Sequence, residues 1–290
     1  MAAQLLDGRS TSAQLRDEIK AEVAQIASTR GRAPTLAVVR AGDDAASVSY
    51  ARMIQKTSEQ VGVRFAASFV SADTPEADLE LLVRRLSEDE AVDGIMVQEP
   101  LPKGVNREAL IAALGPSKDV DGVHPYNVGR LMQGAGDYFA PATPSGGIEL
   151  LDRYGLGVAG KRAVVVGRSN VVGRPMALLL LHRNATVTIC HSRTSDLAEE
   201  CRRADILVAA TGKAALIRGD MVAPGAVVVD FGVNFVEGKM VGDVDFAEAA
   251  EKAAWITPVP GGTGPMTNVM LMRNVLKAAA VGNARGTGRG

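Results

Sequence analysis

Short β-branched runs recur along this chain, each followed by a stretch with helical spacing, and that alternation constrains the fold more than any other feature. TLAVVR (35–40), RFAASFV (64–70) and DGIMVQ (93–98) lie in the first part; RAVVVG (162–167), ATVTIC (185–190), ADILVAA (204–210) and AVVVDF (226–231) lie in the second. Runs of this kind suit strands buried on both faces, and helical crossovers between them make neighbouring strands parallel. Leu15, Ile19, Val23 and Ile26 repeat at helical spacing after Ser10-Thr11-Ser12, and PEADLELLVRRLSED (75–89) opens on a proline suited to a first helical position. Residues 116–147, PSKDVDGVHPYNVGRLMQGAGDYFAPATPSGG, interrupt the alternation with little periodicity, which predicts a functional segment that also links two domains. PMTNVMLMRNVLKAAAV (265–281) reads as a long closing helix, and the tail after it as disordered.

Charge and composition exclude several classes. The chain has 32 basic and 33 acidic side chains, net −1, which gives no electrostatic ground for nucleic acid or an anionic membrane as partner. Cys190 and Cys201, with His124, His182 and His191, form no ligand spacing, so neither a metal site nor a disulfide framework is expected. No apolar run approaches the roughly 18 residues a spanning helix needs. The opening MAAQLLDGRSTSAQLRDE is too polar for a signal peptide, so a cytoplasmic protein is expected.

VVVGRSNVVGRP (164–175) joins a buried strand to a helix through Gly167 and Gly173. Two readings stand: a cradle whose backbone approaches a phosphate at a helix N-terminus, or simply a tight strand-to-helix turn. The next strand ends in CHSRT (190–194). Where an NAD-selective domain would carry an acidic residue, this chain has Ser192 and Arg193, with Arg168 in the preceding loop. That pattern favours NADP, unless Arg193 is only a solvated charge.

Five segments together resemble the bifunctional methylenetetrahydrofolate dehydrogenase/methenyltetrahydrofolate cyclohydrolase family. DGIMVQEPLP (93–102) is similar to its D-G-I-x-V-Q-L-P-L-P, and PSKDVDGVHPYNVGRL (116–131) to its P-x-K-D-V-D-G-x-H-x-x-N-x-G-x-L. PATPSGGIELL (141–151), the Gly167–Gly173 loop and TPVPGGTGPMTNVML (257–271) resemble three more of its motifs. The resemblance implies two α/β domains around a cleft. One is a folate-binding catalytic domain, residues 1–140, with helix 265–282 packing back on it; the other is a Rossmann-type NADP-binding domain, residues 141–264, leaving a disordered tail at 283–290. It implies a homodimer acting on one-carbon derivatives of tetrahydrofolate. Asp121 resembles the carboxylate that holds the pteridine's amino edge, Tyr50 the tyrosine at the folate ring face, and Gln98 the glutamine that hydrogen-bonds a catalytic lysine. Pro260, Gly261 and Gly264 resemble the loop lining the folate site. Gly167, Arg168, Ser169, Gly173, Ser192 and Arg193 fall on the cofactor side, with Val233 at a backbone contact to the nicotinamide carboxamide. Outside the resemblance, Asp121 reads equally as a turn former before Gly122, and Tyr50 as a half-buried core residue.

One departure matters for chemistry. The family's Y-V-x-x-K-x-K-A is here Tyr50-Ala51-Arg52-Met53-Ile54-Gln55-Lys56-Thr57, which puts Ile54 at the catalytic lysine. Lys56 aligns with the second lysine, about 200° round the helix from Ile54. Isoleucine cannot move a proton, so the expectation is an NADP-dependent dehydrogenase with weak or absent cyclohydrolase activity. The alternatives are a fully bifunctional enzyme using Lys56 or Glu99, and a non-catalytic folate-binding regulatory protein. Glu99, where the family has leucine, reads either as a new acid/base group or as a solvated strand end. Thr263, where the family has valine, is expected to alter folate contacts.

Overall fold

The computed structural model describes residues 3–286. The chain opens with β1 (Gln4–Leu5) and α1 (Gly8–Arg30), then alternates through β2 (Thr35–Ala41), α2 (Ala45–Val61), β3 (Arg64–Val70), α3 (Glu76–Glu88), β4 (Gly94–Val97) and α4 (Arg107–Ala112). Next come α5 (Pro125–Gln133) and α6 (Ala142–Arg153). The alternation resumes with β5 (Arg162–Val166), α7 (Gly173–His182), β6 (Thr186–Cys190), α8 (Leu197–Arg202), β7 (Ile206–Ala209) and β8 (Val227–Asp230). A hairpin of β9 (Asn234–Val236) and β10 (Lys239–Val241) follows, then α9 (Phe246–Ala250), β11 (Trp255–Ile256) and α10 (Gly264–Gly286).

The chain divides into two compact units. The first holds Gln14–Ala142 and the chain from Asn268 on; the second holds Thr143–Thr267 and the residues up to Ala13. The opening residues therefore leave the 1–140 domain that the sequence led us to expect. The reason is pairing: β1 lies parallel to β11, Gln4 opposite Trp255 and Leu5 opposite Ile256, and the Gly8 amide donates to Gly261 at 2.9 Å.

In the first unit β3, β2 and β4 form a parallel sheet with β2 central. Leu36, Ala37, Val38 and Val39 are buried along β2, and Leu79, Val83, Ile95, Leu110 and Leu114 pack with Ala37 and Val39. Helix α10 closes this unit. Asn274 Nδ2 donates to the carbonyls of Val120 (2.7 Å) and Ala140 (3.0 Å), and Lys277 Nζ to that of Tyr138 (2.7 Å). Gly94 lets β4 approach: a Cβ there would meet Val120 Cγ1 at 2.5 Å and Val275 Cγ2 at 3.3 Å. The helix continues to Gly286, so residues 283–286 of the expected tail are helical; 287–290 lie outside the described residues.

The second unit is a six-stranded parallel sheet in the order β1-β11-β8-β7-β5-β6. From β5 the chain goes to β6 on one side and crosses back to β7 on the other. That reversal opens a crevice at the carboxyl ends of the strands, where doubly wound sheets take ligands. Residues 116–147, read as irregular, contain α5 and the start of α6. His124 caps α5, its Nδ1 accepting from the Tyr126 amide at 3.0 Å, and Pro125 opens its first turn.

A buried carboxylate anchors the start of β4. Asp93 accepts from Arg30 Nη2 (2.8 Å), Arg32 Nη1 (2.7 Å) and Nη2 (3.0 Å), and the Thr35 amide (2.8 Å). Asp93→Ala would leave two guanidinium groups facing no charge. It is expected to lower the unfolding free energy by about 3 kcal/mol, read from urea denaturation; an unchanged midpoint would show the cluster to be dispensable.

Candidate active site

At the carboxyl end of β5 the chain enters α7 through a loop that only glycine permits at two points. Gly167 has φ 129°, and a Cβ on it would collide with the Ala210 carbonyl. A Cβ on Gly173 would press into the backbone of Gly167 and Arg168. Ser169 Oγ accepts from the amides of Val172 and Gly173, both at 3.2 Å, so its side chain shapes the loop itself. The amides of Arg168, Ser169, Asn170 and Val171 donate to no group among the described residues. A run of free amides leading into a helix N-terminus is a fitting cradle for phosphate.

Strand β6 lies beside β5, Val166 opposite Cys190, so the turn after it comes to the same end of the sheet. That turn is tied internally: the His191 amide donates to Thr194 Oγ1 (2.8 Å) and the Arg193 amide to His191 Nδ1 (3.1 Å). Ser192 and Arg193 stand exposed on it, as Arg168 does on its loop. Neither guanidinium meets an acidic side chain among the described residues.

Two carboxylates that sequence reading passed over shape the neighbouring strand ends. Asp230, closing β8, accepts from the amides of Gly232 (2.7 Å), Asp243 (3.1 Å) and Val244 (2.9 Å). Burial pushes its carboxyl up to about 6 against the pull of those donors. Asp243 accepts from the amides of Thr211 and Gly212 after β7 and from Asn234 Nδ2. Val233 sits between these anchored points, exposed. Thr263 Oγ1 donates to the Asp230 carbonyl at 2.8 Å, which ties the 257–264 loop to β8. That hydroxyl is thus engaged within the protein. In the same loop Pro260 and Gly264 are exposed and Gly261 is buried with φ 117°.

The first unit carries the other expected residues. Asp44 caps α2, accepting from the Ser47 amide (2.9 Å) and Oγ (3.1 Å). Tyr50 is half-buried on this helix, and burial, then the Asp121 charge, raise its hydroxyl above the usual tyrosine range. Ile54 is fully buried, whereas Lys56 faces solvent. Gln98, 2% exposed, donates from Nε2 to the Ser47 carbonyl at 3.2 Å, while its Oε1 accepts from no group among the described residues. Glu99 Oε1 meets Arg107 Nε at 2.6 Å, both side chains partly exposed.

Asp119 and Asp121 have opposite environments. Asp119, wholly buried, accepts from the amides of Val123 (3.1 Å) and His124 (2.8 Å) and from Asn127 Nδ2 (2.7 Å). Asp121, half-buried, accepts from no group among the described residues. Burial pushes its carboxyl up to about 7; the charges of Asp119 and Glu99 add to this and that of Arg107 opposes it. A carboxylate without a donor among the described residues suits a ligand that presents N–H donors.

Models of the family match both parts of the chain. The tetrahydrofolate dehydrogenase/cyclohydrolase catalytic domain covers residues 6–121, and its NAD(P)-binding domain covers 141–283. The chain belongs to the tetrahydrofolate dehydrogenase/cyclohydrolase family. A bifunctional protein FolD of Roseiflexus castenholzii is 55% identical over 100% of both chains, and one of Chloroflexus aurantiacus is 52% identical over 96% of this chain and 98% of that protein. Among solved structures, the bifunctional FolD methylenetetrahydrofolate dehydrogenase/cyclohydrolase of Campylobacter jejuni superposes with TM-score 0.94 at 43% identity, covering 97% and 99% of the two chains. A Trypanosoma brucei FolD complexed with NADP cofactor and inhibitor gives 0.92 at 37%, covering 97% and 98%. Membership accounts for the two-unit α/β fold with its Rossmann-like sheet.

The tight approach at Gly173 carries a test. Gly173→Ala is expected to cost about 1–3 kcal/mol of stability and to weaken dinucleotide binding, read by urea denaturation and a binding titration; a variant matching the parent in both would show that the loop has room to spare.

Proposed function

We propose that this protein oxidises 5,10-methylenetetrahydrofolate to 5,10-methenyltetrahydrofolate with NADP as hydride acceptor, in folate one-carbon metabolism. The observation that carries the proposal is Asp121: a carboxylate with no donor among the described residues, whose charge bears on Tyr50, in a chain whose other unit holds a loop of free amides at a helix start. On this reading Asp121 takes the pteridine's amino edge, Tyr50 lies at the ring face, and Pro260, Gly261 and Gly264 line the folate. The Gly167–Gly173 loop with Arg168 and Ser169 holds the phosphates, Ser192 and Arg193 the 2′-phosphate, and the Val233 backbone the carboxamide. NADP bound there supplies an acceptor for the hydride of the methylene carbon. The protein's own share is alignment, which that transfer chiefly demands. The NADP complex of the Trypanosoma brucei relative supports the cofactor.

The hydrolytic half of the family's chemistry has support on both sides. The names of the curated relatives favour the fully bifunctional alternative over a monofunctional dehydrogenase. Against it stands Ile54, buried and without a proton to give, with Lys56 on the solvent side of α2. Gln98 Oε1 supports the same view. Ile54 follows Ser47 by two helical turns on one face of α2, Ser47 holds Gln98 through its carbonyl, and the remaining amide oxygen has no donor among the described residues. We therefore propose a slowed cyclohydrolase step. Homodimer formation and a cytoplasmic location belong to the same proposal. Exposed Phe235 and Met240 on the β9–β10 hairpin support the first, and two unbridged buried cysteines the second.

The test separates the half-reactions. NADP reduction with 5,10-methylenetetrahydrofolate is expected, with decay of supplied methenyltetrahydrofolate close to the buffer rate; Ile54→Lys should raise that decay by roughly 10²-fold or more. Decay well above buffer in the unaltered protein would establish the bifunctional alternative and direct attention to Lys56 and Glu99. Failure of both reactions would leave the non-catalytic binder. Arg193→Ala is expected to raise KM for NADP roughly tenfold while leaving that for NAD nearly unchanged; equal effects on both would remove Arg193 from the 2′-phosphate.

A further inference from the structure

We propose that Asp243 is a positioning residue for the nicotinamide end of the dinucleotide, acting through Asn234 to hold the Val233 peptide in place. The inference rests on the NADP reading given above and deepens it by naming what fixes that contact.

Val233 lies between β8 and β9 and is 59% exposed, so burial of its side chain does little to hold it. Its amide and its carbonyl meet no partner among the described residues. A carboxamide presents a donor group and an acceptor, which a free peptide N–H and C=O complement. Such a contact is worth most when the peptide is already in place, because ordering a loop on binding offsets part of what the contact contributes.

The residues on either side of Val233 are held. Before it, the Gly232 amide donates to Asp230 Oδ1 at 2.7 Å. After it, Asn234 Nδ2 donates to Asp243 Oδ1 at 2.9 Å. Asp243 is itself fixed: it is fully buried, its amide donates to the same Asp230 Oδ1 at 3.1 Å, and its Oδ2 accepts from the amides of Thr211 and, at 2.9 Å, Gly212. A Cβ on Gly232 would collide with the Asp243 amide and carboxylate, so the loop after β8 lies directly against that residue. One carboxylate thus joins the end of β7 to the start of β9 and leaves Val233 as a one-residue span between two anchors. Its bonds to Thr211 and Gly212 serve the fold with or without a ligand. The bond to Asn234 differs, because β9 already pairs with β10, Asn234 opposite Val241, and the hairpin keeps its register without it. What that bond adds is a fixed position for the peptide just before the hairpin.

Calorimetric titration of the full chain tests the inference with two ligands: NADP, and 2′-phospho-ADP-ribose, which keeps the adenosine and the phosphates but lacks the nicotinamide. Asn234→Ala removes the donor and leaves Thr211 and Gly212 on Asp243. It should weaken NADP by roughly three- to tenfold, the worth of about one hydrogen bond, and leave 2′-phospho-ADP-ribose unchanged. NADP reduction should slow by roughly tenfold or more, since misalignment acts on the rate as well. Asn234→Asp combined with Asp243→Asn reverses donor and acceptor within the pair and keeps its single charge; NADP binding should return to the level of the parent. Equal NADP binding by the alanine variant and the parent, equal weakening of both ligands, or a reversed pair no better than alanine would overturn the inference. Should the alanine variant unfold, as read by urea denaturation, Asn234→Ser carries the same expectations and the same refutations. A parent that binds neither ligand would bring down the NADP reading and this inference with it; a parent that binds both, with variants that refute, would bring down the inference alone.

Discussion

Much of the second unit depends on how Asp230 and Asp243 satisfy backbone amides at the carboxyl ends of β7 and β8. Strand ends that terminate in loops leave N–H groups without ladder partners, and burying them unpaired is costly. Asp230 answers three such amides, and Asp243 two, together with the Asn234 side chain. Thr257 and Thr263 bind the same strand end, the first accepting from the Asp230 amide, the second donating to its carbonyl. The loops after β7 and β8 and the 257–264 loop are thereby fixed to one another. A binding surface made of loops acquires the rigidity of the sheet that carries it.

The first unit uses carboxylates differently. Asp93 and Asp119 are saturated with donors and serve the fold. Asp121 is left unsatisfied, and the difference between it and Asp119 is one of hydrogen bonds, since both lie in the same short segment. An unpaired acceptor in a half-buried place is a cost that persists when a ligand offsets it. Gln98 Oε1 is a second unpaired acceptor, but one sealed from solvent, so no soluble ligand offsets it.

The sequence made the strands and the glycine loop legible because both are local: β-branched runs announce buried strands, and Gly167 and Gly173 stand where a Cβ would collide. β1 was not legible. Two exposed residues carry no periodicity, and their place is decided by β11, some 250 positions later. Helix α5 was hidden by Gly129 within it and by the glycines that flank it, and it forms because His124 caps it, Pro125 opens its first turn, and Asn127 and Leu131 are buried. The extension of α10 to Gly286 defied the glycines of the tail for want of any local stop. Of the candidate site, Asp121, Tyr50 and Gln98 were read from motif resemblance. Asp230, Asp243 and the partnership of Glu99 with Arg107 were not, because their meaning lies in which distant amides and guanidiniums they meet.

Helices α1 and α10 each start in one unit and finish in the other, and the chain passes between the units again at the start of α6. Neither unit is a continuous stretch of gene. A fragment cut at residue 140 would strip the sheet of the second unit of β1 if kept downstream, and strip the first unit of its closing helix if kept upstream. The protein is thus poorly suited to dissection by truncation, and recombination between relatives would preserve both cores only when both ends of the chain are exchanged together.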